Sequence, residues 1–86
     1  MDIAVAETDD KRSKFRRRVL LGGTLVFNDG FSTIDVVVRN LSDEGLRLQM
    51  PTPAPIPKRV QIHFGGHKRE AQVMWQRAET AGLRFL

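Results

Sequence analysis

At 86 residues, with 41% hydrophobic side chains and no cysteine, the chain has room for one small domain and excludes disulfides and cysteine-based zinc sites. No apolar run approaches the ~20 residues of a membrane-spanning helix, so membrane insertion is not expected. The formal net charge of +4 favours an anionic partner, and its distribution along the chain narrows the choice.

Met1 to Asp10 carries Asp2, Glu7, Asp9 and Asp10, no base and no signal-peptide pattern. It reads as a disordered acidic lead-in (1–10) ahead of a single domain (11–86). Lys11 to Arg18 is its opposite, with Lys11, Arg12, Lys14, Arg16, Arg17 and Arg18 and no acid. Such a block is a basic arm that repels itself until something neutralises it. Phe15, its only large apolar residue, is a candidate anchor on the domain surface. Val19 to Phe27 is apolar but holds Gly22-Gly23, which predicts a strand bent or bulged at the glycines and strongest over Thr24 to Phe27. Asn28-Asp29-Gly30 is a hairpin turn signal.

Phe31 to Arg39 is the clearest strand, with Ile34, Val36 and Val38 on one face and Thr33, Asp35, Val37 and Arg39 on the other. The polar stretch Asn40-Leu41-Ser42-Asp43-Glu44-Gly45 predicts a turn. Leu46, Leu48 and Met50 then alternate with Arg47 and Gln49. Pro51 to Pro57 contains all four prolines and is a stiff loop. Val60, Ile62 and Phe64 mark a further strand, and Gly65-Gly66 a turn. Lys68 to Arg77 follows, with Ala71, Val73 and Trp75 assigned to one inward face, where Trp75 reads as core in preference to a surface on which a ligand could stack. Glu79 to Gly82 predicts the last turn, and Leu83 and Phe85 the closing strand. Six short strands, turn signals between them and no helical periodicity predict a small all-β antiparallel barrel, whose closure removes exposed sheet edges.

Two patterns carry chemistry. Arg12 and Arg16 stand in an RxxxR spacing, and a guanidinium can grip phosphate bidentately and stack its flat face on a purine. Asn40 and Ser42 flank Leu41, so an extended backbone points both polar groups to one side and Leu41 into the core. Gly45 permits a positive φ or close ligand approach. Each pattern alone has a plain structural reading: a solvated basic tail, and a turn that satisfies its own backbone. His63 and His67 lack further metal ligands and read as surface residues. No Ser-His-Asp set, thiol or paired carboxylates suggest catalysis, and the adjacent Asp43 and Glu44 point apart.

Together and in this order, RxxxR followed by a strand hairpin and then [D/N]xSxxG leading into a strand resembles the PilZ domain family. The resemblance runs from about Lys11 to Leu86. It takes in the Pro-rich loop, the Val73-Met74-Trp75 strand and Gly82-Leu83-Arg84-Phe85, which looks like the family's closing G-[LV]-x-F strand. It implies a split six-stranded barrel with a flexible basic N-terminal arm. It also implies a non-enzymatic, cytoplasmic bacterial receptor for cyclic di-GMP that needs no other cofactor or metal. In that family the RxxxR arginines hold phosphate and stack on guanine, which gives Arg12 and Arg16 the clamp. The second motif binds a guanine edge and phosphate, which gives Asn40, Ser42 and Gly45 the cradle. Arg17, Arg18, Arg39 and Arg47 are candidate auxiliary contacts. The implied partners are cyclic di-GMP and a downstream protein that reads the bound state, with no DNA; oligomeric state is left open.

Two departures stand out. Position 40 is Asn where Asp is commoner, so one neutral acceptor replaces a charge-assisted one and weaker binding is expected. The C-terminal helix of many members is also expected to be absent. Two alternatives compete: a small barrel that binds RNA or single strands, for which stacking aromatics are few at 7%, and a ligand-free PilZ-like adaptor.

Overall fold

Period-two alternation of apolar and polar side chains builds most of the barrel wall. The computed structural model describes residues 17–86. The expectations placed on the acidic lead-in, Phe15 and the Arg12–Arg16 spacing lie outside those residues. Six strands follow in chain order: β1 (Arg17–Phe27), β2 (Ser32–Leu41), β3 (Gly45–Gln49), β4 (Arg59–Phe64), β5 (His67–Arg77) and β6 (Thr80–Phe85). They close into a barrel in the order β1-β2-β3-β6-β5-β4, with every neighbouring pair antiparallel. The described residues contain no helix. Closure through β1 and β4, which pair from Gly23↔Phe64 to Val26↔Gln61, covers the sheet edges along those residues.

The barrel interior is filled by Leu25, Val36, Val38, Leu46, Leu48, Met50, Val60, Ile62, Phe64, Ala71, Ala81 and Leu83, and no described polar or charged side chain is buried. Most of these are the inward residues expected from alternation, with Ile34, Val73 and Phe85 partly buried against them, whereas Ala81 was expected in the last turn. The Asn28–Gly30 turn forms as expected: Asn28 and Asp29 take φ of 55° and 56°, and the Gly30 N–H donates to the Phe27 carbonyl at 3.1 Å. The Pro-rich loop is tied down by N–H groups of Met50 to the Glu79 carbonyl and of Val73 to the Lys58 carbonyl, both at 2.7 Å.

Four boundaries differ from the expectation. Arg17 and Arg18 belong to β1 rather than to a free arm. The irregularity of β1 falls between Arg18 and Leu21, while Gly22 and Gly23 pair in regular register with Val37 and Val36. Asn40 and Leu41 continue β2, and Gly45 opens β3. The last hairpin turns at Ala78-Glu79 rather than over Glu79 to Gly82, with Arg77 opposite Thr80.

Candidate ligand site

The chain passes from β2 to β3 through only Ser42, Asp43 and Glu44. Ser42 holds this tight connection. Its backbone N–H donates to the Gly45 carbonyl at 2.9 Å, and its Oγ accepts the Glu44 N–H at 3.2 Å. The Phe85 N–H donates to the Glu44 carbonyl at 2.8 Å, which pins the turn to β6. Gly45 does not have the positive φ that was one reason expected for a glycine there. A Cβ at this position would lie 2.0 Å from the Leu83 carbonyl oxygen. The close approach that demands glycine is therefore made by the backbone of β6.

A two-against-one bulge aims the motif. Val38 pairs with Leu48 and Asn40 with Arg47, so Arg39 is one residue in excess on β2. Val38 and Leu41, an odd number of residues apart, can then both face the core while Arg39 and Asn40 both face out. The inward Leu41 and outward Asn40 expected from the sequence both hold. The register of the sheet then places a row of outward positions across five strands. Arg18 lies opposite Asn40, Asn40 opposite Arg47, Arg47 opposite Gly82, and Gly82 opposite Trp75. Arg17 falls one row away, opposite Leu41. Of the four auxiliary arginines, the row takes Arg18 and Arg47, and the bulge sets Arg39 beside it.

Trp75 is the main correction. Assigned to the core face with Ala71 and Val73, it is 44% exposed. A second bulge is responsible: Val73 pairs with Leu83 and Trp75 with Gly82, so Met74 is the extra residue and the alternation of β5 inverts beyond it. The indole lies over Gly82, where a Cβ would sit 2.2 Å from Trp75 Nε1 and 2.6 Å from Cε2. Trp75, Met74 and Gly82 thus form one wall of a groove of about 280 Å³ whose other wall is Asn40, Ser42 and Arg47. Counting outward from a two-residue turn at Ala78-Glu79 sets Trp75 opposite Gly82, so the signal was present in the sequence. It was hidden because that turn contains no glycine.

Two of these arginines are held by neutral partners. Arg47 Nε donates to Asn40 Oδ1 at 2.8 Å, and Arg39 Nη1 donates to Gln49 Oε1 at 2.8 Å. A larger cleft of about 640 Å³ opens at the barrel end where β1 begins. It shares Leu41 and Ser42 with the groove and is flanked by Arg17 and by Arg69, whose guanidinium lies 4.2 Å from the Phe85 ring centroid. His63 and His67 sit away from the row, His63 sharing a 2.9 Å hydrogen bond with Gln61 and the His67 ring 5.7 Å from that of Phe64. Among the described residues no three His, Asp or Glu side chains gather into a metal-holding group, and no helix is long and apolar enough to cross a membrane.

Comparison with known proteins agrees with this architecture. Residues 10–86 match the family model described as "PilZ domain". Among solved structures, the fold is similar to the crystal structure of the PilZ domain of CeSA from a cellulose-synthesizing bacterium. That match has a TM-score of 0.64 and 16% sequence identity, and covers 83% of this chain and 79% of the other. No curated protein matches the sequence.

Proposed function

The chain belongs to the PilZ domain family, and on that premise we propose that it is a non-enzymatic receptor for cyclic di-GMP. The observation that carries this reading is the register of Arg17 and Arg18 opposite Leu41 and Asn40. The end of the basic segment thereby meets the strand that leads into the Asn40-Ser42-Gly45 turn. Arg16 directly precedes Arg17, and Arg12 is within ~17 Å of chain, so both can reach a ligand lying along the row.

In this reading the barrel supplies a preformed half-site. Ser42 offers a polar group, Arg18 and Arg47 offer cations to the two phosphodiesters, and the exposed indole of Trp75 offers a face on which a purine can stack. Arg12 and Arg16 complete the site from the other side of the ligand. A cyclic dinucleotide carries the two negative charges and two flat bases that this mixture of guanidinium, hydroxyl and indole suits. Neutralising the basic arm against the barrel changes the surface that a downstream protein meets, which is the signal.

Isothermal titration with cyclic di-GMP tests the reading. Saturable binding that Arg12→Ala and Arg16→Ala each weaken severely is the expected result. A folded protein that gives no heat, or binds equally well without both arginines, overturns it.

A further inference from the structure

Arginine side chains that are held in place are usually held by carboxylates, which orient the guanidinium and cancel its charge together. Beside the turn motif the two effects are separated. Arg47 and Arg39 are each fixed by a side-chain amide oxygen, Asn40 Oδ1 and Gln49 Oε1, at 2.8 Å. An amide aims the planar fork and leaves its full positive charge available. The atom of Asn40 that faces Arg47 is fixed by chemistry, because a guanidinium has donors only and its partner must be the oxygen.

This arrangement bears on what Asn40 can offer a ligand. One lone pair of Oδ1 is already committed to Arg47. What remains outward from the pair is chiefly donors: the amide N–H groups and the other guanidinium N–H groups. Such a surface fits phosphodiester oxygens well. It fits poorly the donor-bearing edge of guanine, which a free carboxylate at this position would accept. The bulge adds to the effect, since Arg39 and Asn40 both lie against Arg47 across the β2–β3 pair. Arg39, set beside that pair by the bulge, is itself held by Gln49.

We propose that Asn40 is a positioning residue that acts through Arg47, holding this phosphate-binding group of the barrel half-site in place rather than reading a base itself. The proposal rests on the cyclic dinucleotide reading above and assigns the roles within that site. It also gives Asn40 a function of its own. An aspartate there would hold Arg47 equally well but would cancel its charge, whereas asparagine holds it without doing so.

A double-mutant cycle with a salt series tests the assignment. Cyclic di-GMP is titrated into the full chain carrying Asn40→Ala, Arg47→Gln, or both, at several concentrations of monovalent salt. Both side chains lie on the outer face, so the barrel core is untouched. Arg47→Gln is expected to weaken binding about 10- to 100-fold, the range of a charge-assisted hydrogen bond, and to flatten the salt dependence. Asn40→Ala is expected to weaken it about 3- to 10-fold and to leave the salt dependence nearly as in the wild type, because Arg47 keeps its charge but pays ordering entropy on binding. The double variant should bind within about twofold of Arg47→Gln alone, since Asn40 acts only through Arg47. Multiplicative losses in the double variant overturn the assignment and return Asn40 to direct base reading. A wild-type chain that does not bind the dinucleotide at all overturns both this proposal and the reading beneath it.

Discussion

Gly82→Ala offers a way to disturb the candidate site while leaving every polar group in it unchanged. The added Cβ would sit 2.2 Å from Trp75 Nε1, 2.6 Å from Cε2 and 2.9 Å from Cδ1. Ordinary heavy-atom contact is roughly 3.5–4.0 Å, so the indole has to move by more than an ångström and leaves its resting place on β6. Two consequences differ in size. The stability change is expected to stay within about 1 kcal/mol, because lost packing of a half-exposed indole is offset by the lower unfolded-state entropy of alanine, about 0.4–1 kcal/mol. The affinity change should be larger. Base stacking on an aromatic is worth about 1–3 kcal/mol, so a displaced platform should weaken cyclic di-GMP binding about 5- to 150-fold. Trp75 is the single tryptophan of the chain, so its fluorescence reports on this platform alone. Emission should shift in Gly82→Ala without ligand, and ligand quenching should weaken in step with the affinity from titration. In a Trp75→Ala background, Gly82→Ala should have little further effect on binding. Wild-type affinity in Gly82→Ala, or an equal loss in both backgrounds, refutes the platform.

Other expectations follow from the same geometry. Gly45→Ala sets a Cβ against the Leu83 carbonyl rather than a side chain, so β3 and β6 must separate; it should cost about 3 kcal/mol or more in denaturant unfolding whether or not ligand is present. Ile62→Ala, at a fully buried position, should cost about 2–5 kcal/mol and lower the melting temperature by well over 10 °C in a barrel this small. Asn40→Asp adds a negative charge against Arg47; stability measured by thermal unfolding should change by no more than about 1 kcal/mol, while the salt dependence of dinucleotide binding should flatten.

Much of this barrel can be read from single strands. Ile34-Val36-Val38, Leu46-Leu48-Met50 and Val60-Ile62-Phe64 alternate without interruption, and all three runs face the core as alternation requires, Ile34 only in part. The Asn-Asp-Gly turn and the Pro-rich loop are equally local signals. What escapes sequence reading is set by the partner strand. The bulges before Leu21, at Arg39 and at Met74 each insert one residue against a neighbour, so every side chain beyond them changes face relative to simple alternation. Trp75 was misplaced for that reason, since extrapolating Ala71 and Val73 by two more residues crosses the bulge. The glycine at 45 was visible, but its cause was not, because the Leu83 carbonyl that crowds it arrives from almost forty residues away. The motif Asn40-Ser42-Gly45 could be found by pattern, whereas the wall opposite it, Trp75 over Gly82, required the register of β5 with β6.

The central claim is that one ligand spans the basic segment and the outward row Arg18, Asn40, Arg47, Gly82 and Trp75. An amide chemical-shift titration with cyclic di-GMP tests it most directly, with the Trp75 Nε1–H as a side-chain probe. The account predicts saturable shifts concentrated on those five residues and on 11–16, which Arg12→Ala and Arg16→Ala suppress together. Shifts centred instead on the β4–β5 face around Gln61, His63 and Glu70, or no shifts in the folded protein, would contradict it.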